Sequence, residues 1–341
     1  MKAKTVVVAG GAGYIGSHMT RLLQDRGYQA VVVDNLSTGH ADAVHREAVL
    51  QIGQIGDPVL MRSVLREFQP CCVMHFAAAS LVGESMTQPS KYWHNNLVQT
   101  LSLLDTMREC GVNQFIFSST AAVYGEPHQV PIAETHPCLP INPYGQSKLA
   151  IEKALADYGR AYGLRYTTFR YFNAAGAHSD ASLGERHEPE THLIPLVLQV
   201  ASGQKEAISR FGNDFDTADG SCIRDYVHVQ DLATAHLLAL QQLLAGKAGG
   251  TYNLGNGKGH SVTEVINAAR RITGHTIPVR DDPRRVGDPP ILVADATQAR
   301  AVLGWKPQYP DIELIIDHAW RWESALHQLE QFEQFEQLAE P

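Results

Sequence analysis

The segment VVVAGGAGYIGSH, Val6–His18, sets glycines at 10, 11, 13 and 16 between a β-branched run and a stretch that reads as helix up to Gly27. Valines favour an extended strand, and the change from strand to helix across a glycine-rich turn confines the chain to a few folds. Backbone without Cβ lets a pyrophosphate come close, and a helix N-terminus offers free N–H donors with a partial positive charge. The spacing reads as Gly11-x-Gly13-x-x-Gly16 or as Gly10-x-x-Gly13-x-x-Gly16, and the second fits better. Taken alone, the turn is equally compatible with an ordinary tight turn.

The pattern continues. TVVVAG, AVVVDN, CCVMHFAA, FIFSST and YTTFRYFN are strand candidates, separated by helical stretches such as SHMTRLLQDRG and the stripe Leu97, Leu101, Leu104 and Met107 before Gly111. Such alternation predicts an α/β chain with a Rossmann-type, doubly wound parallel sheet. After Asn173 the segment AAGAHSDASLGERHEPETH is rich in turn formers and charge, and marks the edge of a smaller C-terminal substrate domain. DYVHVQDLATAHLLALQQLL and TYNLG read as a helix and a strand that return to the large sheet, so the domains interleave. The expected division is 1–175 for the dinucleotide domain with 226–255 rejoining it, 176–330 for the substrate domain, and 331–341 for a tail. Leading into that tail, Leu329, Phe332, Phe335 and Leu338 are spaced three apart, as on a surface helix.

Asp34 ends the second strand, 18 residues beyond Gly16, near the offset at which an acid grips the adenosine ribose hydroxyls. A carboxylate there repels a 2′-phosphate, and no arginine follows in DNLSTGH, so NAD is expected over NADP.

Two further segments belong at the carboxyl ends of the strands, where ligands gather in open α/β sheets. FIFSSTAAVYG ends a strand on the hydroxyls of Ser118, Ser119 and Thr120. NPYGQSK starts a helix with Tyr144 and Lys148 one turn apart on one face. A free tyrosine, with a pKa of about 10, is a poor base at neutral pH. A lysine ammonium and an oxidised nicotinamide both favour phenolate, which suits a dehydrogenase that must remove a hydroxyl proton as hydride leaves carbon. Each signal is weak; in this order they reinforce one another.

Composition excludes other classes. A net charge of −8 and a pI near 6.0 leave no basic field for a nucleic acid. No apolar run suits a membrane span and no signal peptide is read at the start, so a cytoplasmic protein is expected. Five cysteines without a C-x-x-C pair read as reduced packing residues. His187 and His192 read as lacking a cysteine or carboxylate framework, and no metal is expected.

The ordered segments GGAGYIGSH, DNLSTG, HFAA, VGES, NN, FSSTAAVYGE, NPYGQSK, RYFNAAGAH, FGNDFDTADGSCIRDYVHVQDLA, YNLGNG and RRVGDPP carry a resemblance across nearly the whole chain. The sequence resembles the extended short-chain dehydrogenase/reductases and, among them, the UDP-glucose 4-epimerases. That resemblance implies reversible C4 epimerisation of a UDP-hexose through a transient 4-keto sugar, with tightly held NAD. Tyr144 is then the acid/base, Thr120 assists proton transfer, and Lys148 is the electrostatic and ribose-binding partner. Around the dinucleotide it implies Gly10, Gly13, Tyr14, Ile15, Gly16, Asp34, Asn35, Leu36, Ser37, Thr38, Gly39, Gln54, Ile55, Phe76, Ala77, Ala78, Ser80, Asn95 and Phe172. For the nucleotide sugar it implies Thr120, Tyr144, Asn173, Leu193, Phe211, Arg224, Tyr226, Arg285, Asp288 and Leu292, the two arginines facing the diphosphate.

Some positions depart from the familiar pattern. Gly53-Gln54 replaces Gly-Asp near the adenine, and Asp57 falls three places too late. Ser80 replaces a lysine of some members. Leu292 has intermediate bulk where size relates to acceptance of N-acetylated UDP-hexosamines, so that alternative substrate range stays open. A dehydratase would need an Asp-Glu pair where Ala121 and Ala122 stand. Another nucleotide-sugar enzyme of this fold, or a non-catalytic NAD-binding sensor, are the remaining alternatives. The helices from Tyr92 to Cys110 and Ser147 to Tyr162 would pair in a homodimer, as in relatives, or face the core.

Overall fold

Val6 and Val8 pack on one face of the central sheet, Val7 and Ala9 on the other, and all four are fully buried. This period of two, with both faces apolar, is why the strands read as unbroken valine runs: a parallel sheet is covered by helices on each side. The computed structural model describes residues 3–285 and 288–339, with 329–339 as backbone alone. Val286 and Gly287 of RRVGDPP therefore lie outside the described residues, as do the side chains of the predicted Leu329–Leu338 stripe, although the terminal helix runs to Ala339.

The chain begins with β1 (Thr5–Ala9), α1 (Tyr14–Asp25), β2 (Gln29–Asp34), β3 (Val49–Ile52), α2 (Pro58–Phe68) and β4 (Cys72–His75). Next come α3 (Val82–Thr87), α4 (Pro89–Tyr92), a π-helical turn at Trp93–Val98, α5 (Gln99–Glu109), β5 (Gln114–Thr120), α6 (Pro143–Tyr162), β6 (Arg165–Tyr171) and β7 (Asn173–Ala175). Then follow α7 (Leu193–Ala201), β8 (Ile208–Phe211), β9 (Ile223–His228), α8 (Val229–Leu244), β10 (Thr251–Leu254), β11 (Gly259–Ser261), α9 (Val262–Thr273), β12 (Val279–Asp282), β13 (Ile291–Leu292) and α10 (Ile312–Ala339).

Seven parallel strands form the large sheet in the order β10-β6-β5-β4-β1-β2-β3. The Rossmann-type α/β fold is thus present. α1 and α8 cover one face through Met19, Leu23, Leu232 and Leu240; α2, α5 and α6 cover the other through Met61, Leu65, Leu103, Met107, Ile151 and Leu155. Each such side chain contributes about 1.5–3 kcal/mol on burial. The buried residues of α5 and α6 thus face the core, and Val98 and Tyr162 are exposed apolar residues near their ends.

Three readings change. β3 was not among the strand candidates, because Val49–Ile52 is short and only partly buried at the sheet edge. YTTFRYFN is divided: β6 stops at Tyr171, and Asn173–Ala175 pairs with β9 in a second sheet that also holds β11 and β13. DYVHVQDLATAHLLALQQLL is likewise strand up to His228 and helix only from Val229.

Candidate functional site

The glycine turn is shaped by close approach. A Cβ on Gly16 would stand 2.1 Å from the Gly10 carbonyl oxygen, and one on Gly10, at φ +80°, would meet the Ala77 nitrogen at 2.4 Å. Gly13 differs, for its nearest neighbour is the Gly10 oxygen at 3.6 Å. α1 starts there with no side-chain cap and no acid in its first turn. Its leading N–H groups are therefore free to receive an anion, and the glycine at its head leaves room for one. These are the features a dinucleotide pyrophosphate requires.

Asp34 braces this turn. Its carboxylate accepts from the N–H of Ala12 and of Leu36, both at 2.9 Å. A carboxylate has about four acceptor sites, so two backbone bonds leave capacity for ribose hydroxyls. Leu36 sits at φ +57°, the Asn35 side chain accepts from Ser37 N–H at 3.0 Å, and Gly39 lies against Ala12, where a Cβ would come within 2.9 Å of its backbone. The loop of Asn35, Leu36, Ser37, Thr38 and Gly39 is thus folded onto the phosphate turn. Gln54 is exposed beside it and Ile55 buried. Asp57 is committed as the N-cap of α2, accepting from Val59 and Leu60.

At the end of β4 the segment holding Phe76, Ala77, Ala78 and exposed Ser80 is tied down by Asn96. The Asn96 amide accepts from Ala79 N–H at 2.9 Å and donates to the Ala79 carbonyl at 3.0 Å and to the Ser147 hydroxyl at 3.1 Å. Asn95, the expected cofactor residue, donates to Asn96 at 3.1 Å from the same π-helical turn. The NN doublet pointed to this spot, but only the fold shows that fully buried Asn96 organises it.

Thr120 and Tyr144 come together. β5 ends at Thr120, whose hydroxyl accepts from Ala122 N–H at 3.1 Å. α6 opens with Asn142 as N-cap, accepting from Gly145 N–H at 2.8 Å, and with Pro143 in its first turn. Gly145 rests on Ala122, where a Cβ would meet the carbonyl oxygen at 2.6 Å. Burial raises the Tyr144 phenol above the ordinary tyrosine value, and the neighbouring Thr120 hydroxyl works the other way. Lys148 is buried one turn along, where its amine donates to the Ser118 carbonyl at 2.7 Å. Burial pulls that ammonium down to about 7, with Glu152 opposing.

A polar network that sequence reasoning missed underlies these groups. Glu152 accepts from Ser119 at 2.5 Å and pairs with Arg170 at 2.5 Å, both partners about nine-tenths buried. Arg170 also donates to the Tyr124 hydroxyl at 3.1 Å, and Tyr124 donates to Asn253 at 2.7 Å. Glu152 lies four residues after Lys148, on the face that the Tyr-x3-Lys pattern had already defined.

On the second sheet, Asn173 stands opposite Tyr226, and Leu292 opposite Arg224. Arg224 is held by Asp288 and by the Ile223 carbonyl, while Arg285 stacks 4.0 Å from the Phe211 ring centroid. Phe172 and Leu292 share a small apolar cluster with Ala121 and Tyr124, so this sheet abuts the end of β5. Leu193 begins α7.

Residues 6–255 match the model of the NAD dependent epimerase/dehydratase family. The chain belongs to that family. Within it, the chain is 52% identical over 317 residues to a UDP-glucose 4-epimerase of Halalkalibacterium halodurans, covering 93% of this chain and 95% of that one. It is 51% identical over 322 residues to a UDP-glucose 4-epimerase of Streptococcus mutans, with 94% and 97% covered. The crystal structure of UDP-glucose 4-epimerase from Brucella ovis in complex with NAD superposes with a TM-score of 0.91 at 47% identity, covering 93% of this chain and 98% of that one. For a family member of this kind, the glycine turn, Asp34 and the Thr120–Tyr144 pair stand where the fold gathers ligands.

One reading is corrected. His187 and His192 do have a carboxylate framework: Glu185 and Glu190 lie within 3.6 Å of the His187 Nδ1 and within 3.2 Å of the His192 Nδ1. Burial disfavours charge at both imidazoles, but the facing carboxylates outweigh it and raise His187 to about 9 and His192 to about 10. Both acids stand inside GERHEPETH; alternating glutamates and histidines in a turn-rich segment were the available signal. Among the described residues no helix is long and apolar enough to cross a membrane, and the five cysteines are free thiols.

Proposed function

We propose that the chain interconverts UDP-glucose and UDP-galactose by epimerisation at C4, with tightly bound NAD. The observation that carries this reading is the 52% identity to a UDP-glucose 4-epimerase over 93% of the chain, with Thr120 at the end of β5 neighbouring Tyr144 in the first turn of α6. The turn Gly10–Gly16 would hold the pyrophosphate through Gly13, Tyr14 and Ile15, and Asp34 to Gly39 the adenosine, with Gln54 and Ile55 beside the base. Phe76 to Ser80, Asn95, Lys148 and Phe172 would line the remainder. NAD, when bound, supplies a reversible hydride acceptor.

Tyr144 takes the proton of the 4-hydroxyl and later returns it. Thr120 holds that hydroxyl and hydrogen-bonds the phenol, favouring its ionised form. Lys148, half-charged near neutrality, adds positive potential and a donor for ribose. Arg224 and Arg285 clamp the diphosphate, since guanidinium binds phosphate oxygens in a planar fork. Asp288 holds Arg224 in place, and Asn173, Leu193, Phe211, Tyr226 and Leu292 line the sugar and uracil side. Binding energy placed on UDP leaves the hexose free to present either face.

The test is incubation of purified protein with UDP-galactose, without added NAD, followed by product identification. UDP-glucose is the expected product, and none, in protein shown to carry NAD, would favour the sensor alternative. A parallel incubation with UDP-GalNAc reads the sugar range that the bulk of Leu292 leaves open. The same reading places the protein in the cytoplasm as a homodimer paired through α5 and α6; the exposed Val98 and Tyr162 and the five free cysteines support it. Light scattering of the eluting protein reports the dimer directly.

A further inference from the structure

Outside the dinucleotide and sugar sites, four donor side chains converge in the segment between β7 and α7. Ligand atoms of Glu185, His187, Glu190 and His192 all lie within 4.8 Å of one another. His187 Nδ1 stands 3.2 Å from a Glu185 oxygen and 3.6 Å from a Glu190 oxygen. His192 Nδ1 stands 2.7 Å from Glu185 and 3.2 Å from Glu190. Nitrogens and oxygens thus alternate around a ring. Zinc bonds of about 2.0–2.1 Å set neighbouring tetrahedral ligand atoms roughly 3.3–3.4 Å apart, and the four nitrogen–oxygen distances here run from 2.7 to 3.6 Å.

A second observation separates this from a pair of ordinary ion pairs. His187 Nδ1 is fully buried and makes no well-directed hydrogen bond to either carboxylate, although both lie within reach. The acids supply two negative charges, matching a divalent ion that would displace the protons the two imidazoles otherwise hold, and imidazole with carboxylate suits zinc and its first-row neighbours. Glu185 and Glu190 are both more than nine-tenths buried, and Trp322 donates to the Glu185 carbonyl at 3.0 Å, so two of the ligands are held in place before any ion arrives.

We infer that Glu185, His187, Glu190 and His192 form a binding site for one divalent transition-metal ion, zinc by its donor set, in a structural role. The neighbours define that role. The Tyr14 ring packs edge-on against His187 at 6.3 Å, and its hydroxyl donates to the Gly176 carbonyl at 2.6 Å; His192 is the N-cap of α7. An ion here ties segment 185–192 to the phosphate-turn helix on one side and to α7 on the other. The inference is independent of the epimerase reading.

The test uses the untagged full-length protein, freed of metal by chelator and dialysis, then titrated with CoCl2 and with ZnCl2. One equivalent of cobalt is expected to bind with the visible absorption of a four-coordinate site, and one equivalent of zinc to displace it. His192→Ala should weaken cobalt binding at least ten-fold; should that variant not fold, His187→Ala, whose ring is partly exposed, must give the same loss. The absence of stoichiometric binding in the parent protein would overturn the inference. So would binding unchanged in a folded variant.

Discussion

Gly145 lies directly on Ala122: a Cβ at position 145 would come within 2.6 Å of the Ala122 carbonyl oxygen. This contact sets the first turn of α6 against the turn that follows β5, and thereby brings Tyr144 to Thr120. Backbone cannot yield as the end of a flexible side chain can. Gly145→Ala is expected to move the helix start, separate the hydroxyl pair and reduce kcat by about 10²-fold with little change in KM, since misplacement of about 1 Å has that effect. Steady-state kinetics with UDP-galactose checks the split; a larger change in KM than in kcat would refute the positioning argument.

Tyr144→Phe removes the group that exchanges the substrate proton while keeping the ring and its packing against Tyr92 at 6.3 Å. Turnover should fall by about 10²–10⁴-fold, the usual contribution of general acid–base catalysis, with bound NAD retained. Thr120→Val should have a smaller effect, because it removes the neighbouring hydroxyl and not the base. Cofactor content by absorbance after denaturation, measured beside kcat, distinguishes lost chemistry from lost binding.

Asp34 has a double task, closing the turn through Ala12 and Leu36 at 2.9 Å each and presenting its free lone pairs to ribose. Asp34→Ala should therefore loosen NAD and also destabilise the protein by about 1–3 kcal/mol, the effect of leaving buried donors unpaired. Thermal unfolding with and without excess NAD separates the two, and a melting temperature unchanged in both would count against the bracing role.

Much of this was legible in the sequence because it depended on local pattern. The sheet announced itself through valine runs, since strands covered on both faces have no polar alternation, and the glycine turn and Asp34 lie on consecutive elements of one unit. What escaped depended on distance. Glu152 and Arg170 are 18 residues apart on a helix and a strand, and nothing local says that they meet under Ser119. β3 is a four-residue edge strand with Ile52 exposed and the rest only partly buried, so its apolar signal is weak. His187 and His192 were read without Glu185 and Glu190 because irregular backbone has no period by which to predict which side chains converge.

Glu152 and Arg170 form a buried pair at 2.5 Å, nine-tenths removed from solvent on each side. Removing one partner of such a pair leaves an uncompensated charge and typically costs about 3–5 kcal/mol. Glu152→Ala is expected to show this loss in chemical denaturation. Replacing both by apolar residues, Glu152→Leu with Arg170→Met, should recover most of it, because the desolvation of both charges goes as well. Equal destabilisation in single and double variants would show that the network through Tyr124 and Asn253, and not the pair itself, supplies the stability.

Lys148 supplies the pH dependence. Burial lowers its folded-state pKa to about 7, against about 10.4 in an unfolded chain. Between those values the unfolded state binds more protons, so this residue's contribution to stability rises with pH across that window. Below about 7 both states are charged and the full desolvation penalty applies; above about 10.4 both are neutral and it is gone. Free of NAD, the parent protein should gain stability between pH 7 and 10 relative to Lys148→Met, whose apolar side chain of similar length has nothing to titrate. The difference in unfolding free energy between the two, followed across that range, is the measurement. A difference that stays flat would mean that the Ser118 carbonyl and Glu152 stabilise the ammonium enough to cancel its burial.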